Sequence, residues 1–341
     1  MDENVAVVFP EPQRAVLERG PVPEPGAGEL LIRTRRTLIS TGTELTIYGG
    51  AFPRDSAWSR YGRFPFKPGY SSVGDVVAVG AGVDPAWVGK RVGSSGKHAR
   101  YALQPAPTLE KEVVFELPEA IGDDEATFLH LAAHTVLNGV RRGGVQFGEA
   151  AVVYGLGILG QFAARFCALS GARPVIGVDV APSRLALLPR TPAFVALDAR
   201  EGHVARRVEE LNHGRKADIV FEVTGNPDLI PSEFELVKRQ GRFVMLSSPR
   251  GPTNFDFHDL CNAPSITIVG AHGGSIPAFE TPYNPWTKRR NGELVLDLAI
   301  RGELDLQTLI SHREPYARAP ELYVQLYEDR SAAMGVVLDW S

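Results

Sequence analysis

Three glycines, Gly155, Gly157 and Gly160, stand at G-x-G-x-x-G spacing, and a carboxylate, Asp179, follows about 20 residues on. This is chemistry for holding a dinucleotide. Gly155 permits a tight turn, Gly157 lets the backbone approach a pyrophosphate, and Gly160 lets the next helix pack closely on the preceding strand. Leu156, Ile158 and Leu159 complete the turn and the helix start, whose unpaired N–H groups and dipole attract phosphate. Asp179 can accept both ribose hydroxyls of NAD and would repel a 2′-phosphate. Arg184, five residues on, can pair with such a phosphate instead. The expected cofactor is NAD, with NADP the lesser alternative.

The elements that must position these residues can be read around them. Residues 151–154 form a short apolar strand, 158–169 have helical apolar spacing, and 175–178 are β-branched and apolar, ending on Asp179. Further on, 217–223, 241–246 and 265–270 read as strands, with 198–212 and 233–239 as helices between them. That alternation implies a parallel sheet. Asp123 is expected to cap a helix over 126–138, which would place His130 and His134, four apart, on one face. Residues 1–125 instead show several short strand patterns broken by Gly and Pro, which suggests a small barrel or sandwich. Two helices, 291–301 and 317–329, and a strand, 334–339, close the chain. The fold class is therefore α/β, a β-rich domain joined to a Rossmann domain, with 341 residues favouring two domains.

Composition narrows the function. A formal net charge of −4 argues against a general nucleic-acid binder. No apolar run approaches the roughly 20 residues of a membrane span, and the acidic start lacks a signal-peptide pattern. A cytoplasmic protein acting on a small molecule is expected, with no nucleic-acid or membrane partner. The two cysteines, Cys167 and Cys261, form no C-x-x-C pair.

The order of elements, the segment from Arg141-Arg142-Gly143-Gly144-Val145 to Gly160, the stretch Ser265 to Gly274 and Leu309-Ile310-Ser311-His312 resemble the medium-chain dehydrogenase/reductase superfamily, which includes alcohol, sorbitol and threonine dehydrogenases. The resemblance implies a GroES-like catalytic domain over 1–125, a Rossmann NAD(P)-binding domain over 126–274, a return to the catalytic domain over 275–341, a cleft between the two, and a homodimer pairing through 265–270. It also implies cofactor contacts at Thr135, Val223, Thr224, Leu246, Ser247, Ser248, Ala271 and His272. S-x-G-T-E-L and P-W-T-x-R-R resemble a subgroup holding the bacteriochlorophyllide hydroxyethyl dehydrogenase and sugar or cyclitol dehydrogenases.

The departures matter as much. Where zinc members carry their ligands, this chain has Thr41, Tyr70 and, near the domain junction, Leu131, and the four-cysteine zinc lobe is missing. Zinc needs about three N, O⁻ or S⁻ donors, so a zinc-free member is expected. A hydrogen-bond donor must then replace the Lewis acid. Tyr70 stands at the lost histidine, with Lys67 three residues earlier to lower its pKa. Thr43 is a candidate for orienting substrate or relaying a proton, and Glu44, His130 and His134 are candidate bases. The expected activity is hydride transfer between a nicotinamide and the secondary alcohol or ketone of a polyol, sugar or cyclitol. The alternatives are a zinc-free enoyl or quinone reductase, and a non-enzymatic dinucleotide-binding sensor.

Overall fold

The computed structural model describes residues 3–108 and 114–341, which divide into two compact units. One is Met1–Ala133 with Ile276–Ser341, and the other is His134–Ser275.

The second unit is built on six parallel strands in the order Phe194–Asp198, Val175–Asp179, Ala151–Tyr154, Ala217–Glu222, Val237–Met245, Thr267–Gly270. In chain order this is 3-2-1-4-5-6, the Rossmann arrangement, and it reverses between Ala151–Tyr154 and Ala217–Glu222. These inner strands are near-continuous apolar runs because both faces of the sheet are covered; Val152, Ile176, Val220 and Phe243 share one core. The helix Ile158–Leu169 buries Phe162, Ala163, Phe166 and Cys167. Two expectations are corrected and one strand is added. Residues 194–198 are a strand, and the helix expected over 198–212 is Val204–Leu211. The helix expected over 233–239 is Ile230–Phe234, because Val237 is buried and pairs with Ala217 to open the next strand.

The first unit is the β-rich, GroES-like part. Its main sheet runs Ile310–Pro315, Gly335–Asp339, Glu29–Ile39, Ser72–Val79, Arg91–Ser94, Val114–Glu116, with Tyr101–Pro105 also on Glu29–Ile39. A hairpin, Glu3–Glu11 with Arg14–Pro21, stands apart in a two-stranded sheet. The core joins Phe9, Ile47, Tyr48, Tyr323 and Leu338. The helix start near Asp123 is also corrected. Gly122 is the N-cap, with its N–H donating to Glu125 at 3.1 Å. The Asp123 carboxylate instead pairs with Arg91 at 2.7 Å and Arg35 at 3.3 Å. Those ion pairs tie Asp123–Ala126 to the first unit, so the border falls at Ala133 rather than before residue 126.

Candidate active site and dinucleotide site

In the second unit the glycine turn lies at the carboxyl end of Ala151–Tyr154. Gly155 has φ +97°, which an L side chain resists, and a Cβ there would stand 3.0 Å from Thr224 N. A Cβ on Gly157 would meet nothing within 4 Å, so its backbone is open to a ligand. The helix Ile158–Leu169 begins at Gly157 with no side-chain cap, which leaves its first N–H groups for a phosphate.

Asp179 ends its strand and is 6% exposed. One carboxylate oxygen accepts from Leu156 N at 2.7 Å, the other from Ala181 N at 2.8 Å, and Arg184 Nη1 stands 3.8 Å away. A carboxylate has about four acceptor positions, so it retains capacity for ribose hydroxyls. These features fit a dinucleotide.

The neighbouring loops are organised by a residue that sequence reasoning missed, Glu222. It is fully buried at the end of its strand. Its Oε1 accepts from Thr224 N, Thr224 Oγ1 and Gly225 N at 2.7–2.8 Å, and its Oε2 accepts from Ser247 Oγ. Its backbone oxygen takes Leu246 N and Ser247 N. The available signal was a carboxylate closing an otherwise apolar strand just before Thr-Gly. Val223 N bonds Tyr154 O, which brings that loop beside the glycine turn. Ala271 N bonds Met245 O, and Asn138 Nδ2 donates to His272 O at 3.2 Å. Gly273 closes on Thr135, whose Oγ1 would lie 3.3 Å from an added Cβ. Thr135, Ala271 and His272 are thus brought together, and Val223, Thr224, Leu246, Ser247 and Ser248 sit on the loops that leave adjacent strands.

In the first unit a second group of side chains gathers around Tyr70. Its hydroxyl donates to Ser40 Oγ at 2.5 Å and lies 3.3 Å from Thr43 Oγ1, the first residue of the helix Thr43–Gly49. His130 meets the Tyr70 ring edge-on at 6.0 Å between centroids. Burial pushes the Tyr70 phenol up to about 12, against the lowering effect of the Ser40 and Thr43 hydrogen bonds. Burial, then the charge of Lys288, pushes His130 down to about 4. At neutral pH both groups are uncharged. Ser40 was not anticipated, although it opens the Ser-Thr-Gly-Thr-Glu run.

Several expected roles are corrected. Lys67 does not lower the Tyr70 pKa: its side chain is 58% exposed and faces Glu18 at 3.9 Å, and the phenol moves the other way. Glu44 is 1% exposed, and both of its oxygens are hydrogen-bonded. It accepts from Ser40 N at 3.2 Å, from His98 Nε2 at 3.0 Å and from the Tyr323 hydroxyl. It holds the Ser40–Thr43 turn in place and lacks the free geometry of a base. The segment between His130 and His134 is not the α-helix expected over 126–138: Leu131–Val136 is π-helical, and the two histidines fall in different units. Where the resemblance would put zinc ligands, Leu131 is buried hydrocarbon and Tyr70 is hydrogen-bonded to Ser40. Among the described residues no group of three or more His, Cys, Asp or Glu could hold a metal ion, and no helix is long and apolar enough to cross a membrane.

Comparison with known proteins agrees with this frame. Residues 159–289 match the zinc-binding dehydrogenase family. The L-threonine 3-dehydrogenase of Pyrococcus horikoshii is 27% identical, covering 94% of this chain and 95% of its own. A short chain alcohol dehydrogenase from Escherichia coli complexed with NADH has a TM-score of 0.82 at 18% identity, covering 99% of this chain and all 100% of that one. A structure from Sinorhizobium meliloti bound to NADP has a TM-score of 0.80 at 20% identity, covering 99% and 100%. In sequence and in fold the chain is thus similar to these dehydrogenases, and its glycine turn with Asp179 fits the dinucleotide that such a fold holds. Its relatives are named as dehydrogenases, and two of the similar structures hold NADH or NADP.

Proposed function

We propose that the chain is a zinc-independent enzyme interconverting a secondary alcohol and a ketone on a hydroxylated small molecule, with NAD preferred to NADP. The observation that carries this reading is the Tyr70–Ser40–Thr43 hydroxyl cluster at the position of a lost zinc ligand. The nicotinamide, when bound, supplies or accepts the hydride. The chain's own residues handle the oxygen.

With its pKa near 12, the Tyr70 phenol is a donor at neutral pH, not a base. In the reducing direction it can donate to the carbonyl oxygen as negative charge develops there, the task a metal performs elsewhere in the superfamily. The Ser40 and Thr43 hydroxyls then turn to donate to the phenolate, which is why their bonds lower its pKa. In the oxidising direction the same cluster must accept the alcohol proton, which favours alkaline pH. The NAD preference is supported by Asp179, whose carboxylate would repel a 2′-phosphate while Arg184 remains close. A homodimer is supported by the strand Thr267–Gly270 at the sheet edge, with Ile268 44% exposed, and is checked by sizing in solution.

The test is a screen with NAD(H) and NADP(H) over polyols, glycosides, cyclitols and their ketones, combined with elemental analysis. Turnover of alcohols or ketones without bound metal is expected. About one zinc per chain with activity lost to a chelator would remove the zinc-independent part. Turnover of enones or quinones alone would replace the alcohol with a C=C substrate. Cofactor binding with no turnover on any member would leave a sensor.

A further inference from the structure

Lys97 crosses the turn that carries Tyr70 at Gly69 and, among the described residues, forms no salt bridge. It sits between the strands Arg91–Ser94 and Tyr101–Pro105, and its main chain is held against the turn that carries Tyr70. His98 N donates to Pro68 O at 3.0 Å. A Cβ on Gly69 would stand 2.4 Å from His98 N and 3.0 Å from Lys97 Cα, and Gly69 takes φ +100°. Only glycine lets the two segments cross there.

The Lys97 ammonium sits over the Phe66 ring at 5.6 Å, and Phe66 packs edge-on against Tyr61, also at 5.6 Å. The charge of Glu44, whose own oxygens hold the Ser40–Thr43 turn, is felt by Lys97, Tyr61 and Tyr70 alike. Glu44 makes no salt bridge with Lys97; its oxygens bond Ser40, His98 and Tyr323. No carboxylate oxygen of the described residues comes within 4.0 Å of the Lys97 ammonium. Burial also pushes its pKa down. A partly desolvated cation of this kind gains most from an anion brought by a ligand.

We propose that Lys97 binds an anionic group of the substrate, a carboxylate or a phosphate ester, so that the substrate is an anionic secondary alcohol or ketone rather than a neutral polyol. This rests on the reading that the Tyr70 cluster is the reacting end. Lys97 is then a specificity-determining residue, and Tyr61 and Phe66 form the wall against which the anion-bearing end lies.

The test pairs one carbon scaffold with and without charge: glucitol, gluconate and glucitol 6-phosphate. Binding to the NADH-loaded protein is measured by titration calorimetry, and kcat/KM is measured with NAD. One or both anionic members should be favoured over glucitol by about 10- to 100-fold, the range of a charge-assisted hydrogen bond. Lys97→Met should bring that ratio close to one, through KM and Kd more than kcat. Lys97→Arg should keep most of it, which also guards against a merely misfolded variant. Gluconate against glucitol 6-phosphate tells which anion is read. Equal affinity for all three in the wild type, or an unchanged ratio in Lys97→Met, overturns the proposal. If the anions bind through Lys97 but nothing is oxidised or reduced, the alcohol reading fails and the anion site stands. If glucitol turns over as well as gluconate, the reverse holds.

Discussion

The Tyr70 hydroxyl lies 2.5 Å from Ser40 Oγ, inside a turn whose Ser40 N–H is held by Glu44 at 3.2 Å. A phenol buried this way stays protonated well beyond neutral pH, with its pKa near 12. Tyr70→Phe should therefore lower kcat for ketone reduction by about 10²–10⁴-fold, the usual range for a general acid. Alcohol oxidation by the wild type should rise about tenfold per pH unit toward the phenol pKa, as the phenolate fraction grows. The variant should lose that limb. Stopped-flow pH–rate profiles in both directions check this, and a near-wild-type rate in Tyr70→Phe would end the assignment.

Gly160 is the least replaceable glycine of the dinucleotide turn. A Cβ there would fall 1.9 Å from the Gly155 carbonyl oxygen, which is backbone and cannot swing aside. Gly160→Ala should push the helix Ile158–Leu169 off its strand and weaken NADH binding by at least about tenfold, since the helix N-terminus and the Gly157 backbone would no longer face the pyrophosphate together. Fluorescence titration with NADH measures it. An unchanged Kd would mean that the turn does not hold the cofactor.

The dinucleotide turn was legible in the sequence because its demands are local: glycine spacing, a β-branched strand and one acid specify it within 25 residues, roughly one βαβ repeat. The Tyr70 cluster was legible only in part. Position in the chain singled out Tyr70 and Thr43, but the direction of each neighbouring side chain is a tertiary property. Lys67 is three residues from Tyr70 and turns to Glu18, whereas Lys97, far along the chain, crosses at Gly69. Glu222 was hidden because an apolar run reads as a buried strand even when a carboxylate ends it. The strands Arg14–Pro21 and Ile310–Pro315 were missed for the opposite reason, being charged and half-exposed, with pairing supplied by neighbours rather than by apolar alternation.

Asp179 should decide between the two nicotinamide cofactors. Its oxygens already hold Leu156 N and Ala181 N, so truncation to alanine would also loosen the turn. Asp179→Asn is the milder change, because the amide oxygen keeps one of these two bonds and the side chain keeps its shape while the charge is gone. NAD should lose a charge-assisted bond worth about 1.5–3 kcal/mol, and the repulsion of a 2′-phosphate should vanish. The ratio of kcat/KM for NADP over NAD is expected to rise at least about tenfold. A wild type that already prefers NADP would shift attention to Arg184, 3.8 Å from the same carboxylate.

Glu233 offers a prediction about stability. It sits on the helix Ile230–Phe234, fully buried, and neither carboxylate oxygen has a hydrogen-bond partner among the described residues. Ile230 and Phe234 beside it belong to the apolar core with Val220 and Phe243. Burial first, and the charge of Glu222 second, push its pKa up to about 9, so it is folded as the neutral acid. The unfolded chain ionises it near pH 4.5. Between these values the native state binds the extra proton, so the stability that Glu233 allows is complete below about 4.5 and is lost as pH rises toward about 9. The slope is on the order of 1.4 kcal/mol per pH unit for a single group. Glu233→Leu removes the ionisable group and fills the site with hydrocarbon of similar size. The variant should therefore match the wild type near pH 5 and exceed it increasingly from pH 6 to 8.5. Denaturant unfolding across that range measures the difference directly, and parallel stability curves for the two proteins would show that Glu233 is ionised and solvated in the native state.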